Sequence, residues 1–126
     1  MNDNQLIIKD QEQSPPLIEL TELNLITSNN QEQLKDLLTS FYKDYSQKLQ
    51  DIKLALQDNQ LITVQREAHK IAGSAQMIGA KSLQSASLTL NYSLKEGHID
   101  VTKSEYFLDM LEQTLKALDK QISSMH

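Results

Sequence analysis

From residue 34 onward the apolar positions fall into four stripes. In the first, Leu34, Leu37, Leu38, Phe41, Tyr45, Leu49, Ile52 and Leu56 recur at intervals of three and four, the period of one long amphipathic helix. Ser28-Asn29-Asn30-Gln31 has the Ser-x-x-Gln form of a capping box, which predicts a helix start at Ser28. Asp58 and Asn59 break the stripe, and so short a break predicts an antiparallel neighbour. The second stripe is Leu61, Val64, Ala68, Ile71, Ala75 and Ile78, stopped by Gly79 in the position after the last helical turn. The third runs from Ala80 to Glu96 with Leu83, Ala86, Leu90 and Leu94 inward, and Gly97 follows it. Thr102-Lys103-Ser104-Glu105 predicts a second capping box, ahead of Phe107, Leu111, Leu115, Leu118 and Ile122.

The N-terminal region reads differently. Residues 1–16 are polar and end in Ser14-Pro15-Pro16, which favours extended backbone, and are expected to be a linker or N-terminal arm. Residues 17–26 predict a short helix, with the prolines tolerated only at its start. Four wide stripes joined by tight connections bury one another as an antiparallel up-down-up-down four-helix bundle, here with a short additional N-terminal helix. The expected fold class is all-α, with one domain over residues 17–122 and a C-terminal tail at 123–126. No segment alternates with period two over a useful length, and no internal repeat suggests a solenoid.

Composition narrows the function. A chain of 126 residues supports one core. A net charge of −5 with scattered lysines argues against nucleic acid as a partner. Having no cysteine, the chain can build neither a disulfide framework nor a thiolate metal site. There is no signal-peptide pattern and no apolar run near the roughly 18 residues of a membrane span, so a cytoplasmic domain without direct membrane contact is expected.

The second stripe carries the candidate chemistry. At about 100° per residue, His69 lies on the opposite side of its helix from Ile71 and points away from the core. Ile62, Arg66, Gly73 and Gln76 share its direction, with Lys70 and Met77 at the edge of the sector. A glycine inside a helix is roughly 1 kcal/mol less favourable than alanine. Either the missing side chain clears the approach of something large to the imidazole, or it lets two helices pack closely.

The stretch Ala68-His69-Lys70-Ile71-Ala72-Gly73-Ser74-Ala75, followed by Gly79-Ala80 and Leu83, resembles the acceptor motif of the histidine-containing phosphotransfer (HPt) family. That motif reads Ala-His-x-Leu-Lys-Gly, two small residues, three variable ones, Gly-Ala, and Leu three positions later. The segment Pro15-Pro16-Leu17-Ile18-Glu19-Leu20 also resembles the entry to HPt domains at the C-termini of hybrid sensor histidine kinases. The resemblance implies a helical bundle in which His69 is the phosphoacceptor and Gly73 the clearance glycine, with Ser74 a small residue aiding the local fit. It implies response-regulator receiver domains as partners, and the face of Ile62, Gln76 and Met77 around His69 is where such a partner is expected to dock. The departures are Ala72, where many members carry lysine, and Asn91, where many carry a Gln or Glu that hydrogen-bonds the imidazole. Arg66, Lys70 and Lys81 are the cations left to attend the phosphate, of which Arg66 alone shares the narrow face of His69.

The implied role is that of a phosphorelay intermediate in two-component signal transduction, taking phosphate from a receiver aspartate and passing it on or back. No cofactor of its own is expected, the divalent cation residing on the receiver. The isolated domain is expected to be monomeric, cytoplasmic or the cytoplasmic end of a membrane-bound kinase. Kinase activity is not expected, for the chain has no Gly-rich nucleotide loop. His69, His98 and His126 lie too far apart in sequence for a metal pair, so no metal site is expected. The alternative is a non-catalytic helical adaptor or scaffold in which His69 is incidental.

Overall fold

The computed structural model describes residues 16–125 and forms five helices, with no strand among those residues. They are α1 (Thr21–Ile26), α2 (Gln31–Gln57), α3 (Leu61–Ala75), α4 (Lys81–Leu94) and α5 (Val101–Ser123). The arm expected over residues 1–16 lies outside the described residues except for Pro16. The short helix is shorter than its sequence suggests: residues 17–20 run ahead of it, and the Glu19 amide donates to the Ile78 carbonyl at 2.9 Å.

The four long helices close a ring around one core, with α2 and α4 each packed on both α3 and α5. Leu34, Leu38, Tyr45, Leu49 and Ile52 enter from α2, and Val64, Ala68, Ile71 and Ala75 from α3. Leu83, Ala86, Leu90 and Leu94 enter from α4, and Phe107, Leu111, Leu115 and Leu118 from α5. Leu37, Phe41, Leu56, Leu61 and Ile122 pack on the rim, partly exposed. Leu23 of α1 is fully buried, which ties the short helix to the bundle.

Both expected capping boxes are displaced by two residues. Asn30, with extended backbone at φ −76° and ψ 113°, caps α2, its side chain accepting from the Gln33 amide at 2.9 Å. Ser28 has φ 52° and closes α1: its amide donates to Leu25 and the next amide to Asn24, the Schellman pairing. A residue in that left-handed conformation cannot also supply the extended backbone of an N-cap. At α5 the cap is Asp100, whose carboxylate accepts from the Lys103 amide at 3.1 Å. Thr102 is already helical.

Glycines follow α3 and α4 as expected, but both helices end earlier than their stripes suggest, at Ala75 and at Leu94 instead of Glu96, with Gly97 at φ +90° beyond the latter. Gly79 has φ +63°, its amide donates to Gln76, and Ala80 donates to Ala75, again the Schellman pairing. Ile78 is thereby turned inward, fully buried, although it lies beyond the last residue of α3. Asn59 closes α2 in the same way at φ 57°. No helix among the described residues is long and apolar enough to cross a membrane.

Candidate functional site

His69 stands exposed on the outer face of α3, two turns beyond the start of the helix. It lines a shallow groove of about 450 Å³ between α3 and α4, together with Ile62, Gln65, Arg66, Lys70, Asn91 and Lys95. Of the residues expected around the histidine, the structure therefore gathers Ile62, Arg66, Lys70 and Asn91 at one place. Gly73, Gln76 and Met77 are also exposed but lie further along α3 and its closing turn, outside that groove. Lys81 opens α4 and does not line it either.

The two readings of Gly73 separate here. A Cβ built on it would meet nothing within 4 Å, so no neighbouring helix requires its absence. Gly79 is the glycine that packing does require. A Cβ there would lie 2.7 Å from the Glu19 amide nitrogen and closer still to the Glu19 carbonyl oxygen.

Across the groove, Asn91 presents an amide oxygen that is buried yet has no hydrogen-bond partner among the described residues. Such an atom costs about 1–3 kcal/mol when unpaired. Nearly all buried polar groups find partners; this oxygen, in the groove of His69, is an acceptor open to a donor, and the Ser104 hydroxyl on α5 is likewise unpartnered among those residues. Ala72, at the position of the family lysine, is only 4% exposed and packs among the helices instead of reaching the groove.

The cations around His69 are not equivalent. Glu67, its side chain 12% exposed, gathers Arg66 Nε at 3.4 Å, Lys70 Nζ at 3.7 Å and Lys48 Nζ from α2 at 3.6 Å. A second groove shares Asn91 and Lys95 and adds Leu88, Thr89, Tyr92 and Lys103. Lys103 Nζ lies 3.8 Å from the Asp100 carboxylate. Lys95 lies where the two grooves meet and has no carboxylate within 4 Å among the described residues.

Beneath the site, Ser74 does more than fit. Its hydroxyl lies 2.7 Å from that of the fully buried Tyr45 on α2 and 3.3 Å from the Ile71 carbonyl. Tyr45 donating to Ser74, and Ser74 to Ile71, satisfies both hydroxyls. Burial pushes the Tyr45 phenol up from 10.0 to about 12, the bond to Ser74 pulling down and the Asp44 charge pushing up. Phe41 meets Tyr45 edge-on at 6.0 Å between ring centroids, one turn away on the same helix.

Sequence reasoning missed Lys95, Gln65, the apolar pair Leu88 and Tyr92, and the Tyr45–Ser74 tie. The spacing of Asn91 and Lys95 by one helical turn was the available signal for Lys95, once Asn91 was placed opposite the histidine. No group of His, Asp or Glu suited to holding a metal ion occurs among the described residues.

The α3–α4 face thus brings together the exposed His69, the unpartnered Asn91 oxygen and the unpaired Lys95 on a helical bundle. The family model of the Hpt domain matches residues 36–121, well over half of the chain, and the chain belongs to the Hpt domain family. Hpt domains are phosphotransfer modules of two-component signalling, without kinase activity, and interact in general with receiver domains of response regulators. No curated protein and no solved structure matches the chain.

Proposed function

We propose that the chain is a phosphorelay intermediate whose acceptor is His69, taking a phosphoryl group from the aspartate of a receiver domain and passing it to another receiver or back. The observation that carries this reading is the exposure of His69 in a groove opposite the unpartnered Asn91 oxygen. The long helices run up, down, up and down, as their short connections favour, and hold the α3–α4 face open to a partner.

Phosphoryl transfer depends chiefly on positioning and charge stabilisation. The imidazole is neutral when it reacts. One ring nitrogen attacks phosphorus with its lone pair while the bond from phosphorus to the aspartyl oxygen breaks, and that electron pair stays with the carboxylate. The other ring nitrogen keeps its proton and donates it in a hydrogen bond to Asn91 Oδ1, which aims the ring. The receiver brings its phosphoaspartate and divalent cation, and this chain needs no cofactor of its own. Gly73 leaves the approach to the ring clear, and Ile62, Gln76 and Met77 form docking surface. The module works in the cytoplasm, as a monomer or as the end of a larger kinase.

The test is incubation with a phosphorylated receiver. A label that is lost in acid, survives alkali and vanishes in His69→Gln supports the reading. Label on His98 or His126 ends the assignment of His69, and no label from any receiver of the same organism favours the helical adaptor instead.

A further inference from the structure

We infer that Lys95, at the C-terminal end of α4, is the cation that binds the phosphoryl oxygens at His69. The inference rests on the phosphotransfer reading and adds to it the residue that stands in for the lysine absent at Ala72. Three cations line the groove with His69: Arg66, Lys70 and Lys95. The first two lie within 4 Å of the Glu67 carboxylate, which also meets Lys48 and compensates part of their charge. Lys103, on the adjoining groove, is paired with Asp100. Lys95 is left with its charge uncompensated by any carboxylate within 4 Å among the described residues, and its side chain is exposed.

Its position suits the task. Lys95 follows Asn91 by one helical turn, so both project from the same face of α4 toward His69. Both line the groove that holds the imidazole, so a phosphoryl group on the ring would enter the space that Lys95 borders. A lysine at a helix C-terminus also interacts favourably with the helix dipole. That effect accounts for stability but not for the placement of Lys95 in the groove of His69. An ammonium group contributes most where charge gathers on the transferring phosphoryl group, so its effect belongs to the rate of transfer and not to docking.

The experiment compares wild type, Lys95→Gln, Lys95→Arg and, as a control on α5, Lys116→Ala. Single-turnover transfer from a receiver domain charged with acetyl phosphate gives kcat and KM. Direct phosphorylation of His69 by phosphoramidate gives a rate that involves no docked protein. Lys95→Gln is expected to lower both transfer rates roughly tenfold, the worth of one charge-assisted hydrogen bond, with KM for the receiver changed less than about twofold. Lys95→Arg restores most of the rate and Lys116→Ala changes nothing. Unchanged rates in Lys95→Gln, or a raised KM with normal kcat and a normal phosphoramidate rate, would overturn the inference while leaving His69 as acceptor. Failure of the wild type itself to take phosphate from any receiver would remove the reading beneath it.

Discussion

At the scale of single residues, the glycine one turn from His69 and the tyrosine beneath the same helix make opposite demands. Gly73 has open space where a side chain would be, so its absence costs helix stability without any return in packing. Gly73→Ala is therefore expected to raise the unfolding free energy by up to about 1 kcal/mol, read as a higher midpoint in urea. Gly73→Gln should fold with a wild-type circular dichroism spectrum and melting temperature yet lose phosphotransfer, because the longer side chain stands where a receiver must approach. Normal transfer in Gly73→Gln would show that clearance is not its role. Tyr45 shows what burial does instead. Its phenol ionises at about 12 instead of 10.0, so the folded state disfavours the tyrosinate. Stability from this group is complete below pH 10 and declines as pH rises through the folded value, since the unfolded chain releases the proton more readily. Absorbance at 295 nm should show one of the four tyrosines titrating late, and Tyr45→Phe should abolish that late step at a cost near 1 kcal/mol.

At the scale of helices, turns decide where the histidine stands. The left-handed Gly79 closes α3, turns Ile78 into the core and lets the Glu19 backbone pass against it. Gly79→Ala meets both an unfavourable φ and the Glu19 backbone, and a loss of about 2 kcal/mol or more is expected in denaturant unfolding, in contrast to the gain at Gly73. The apolar periodicity made the long helices legible because each stripe faces a single shared core, and the glycine stops were legible because few other residues take positive φ. The caps were not. Ser28 and Thr102 fit the capping pattern as well as Asn30 and Asp100 do, and only the closure of α1 and the inward register of Ser104 and Phe107 decide between them. For the same reason the face of His69 could be read along α3 by arithmetic, whereas Lys95, Leu88 and Tyr92 reach it from another helix. Arg66 looked the best-placed cation along α3, but the angle on one helix says nothing about Glu67 drawing it aside. Arg66→Ala should accordingly slow transfer less than Lys95→Gln does, measured at saturating receiver.

At the scale of the whole molecule, the face that carries His69 also leaves large apolar side chains open to solvent. Ile62 is 77% exposed and Tyr92 73%, with Leu88 and Met77 also open, and three of these four line or adjoin the grooves that meet at Lys95. Scattered exposed apolar residues are ordinary, but here they flank an uncompensated ammonium and an exposed imidazole. An interface of that kind takes its affinity from desolvated aromatic and aliphatic anchors and its orientation from the charges around them. On the proposed reading docking and chemistry fall to different side chains, and they should separate in kinetics. Tyr92→Ala removes an anchor from the groove that Tyr92 shares with Asn91 and Lys95 and adds no charge beside them. It is expected to raise KM for the phosphorylated receiver by roughly tenfold, as loss of one aromatic anchor costs on the order of 1–2 kcal/mol, while kcat at saturation and the rate with phosphoramidate stay near wild type. Lys95→Gln should give the reverse pattern. Should Tyr92→Ala leave KM unchanged, the receiver must sit on the Gln76 and Met77 side of His69, and Gln76→Asp would then become the variant that raises it.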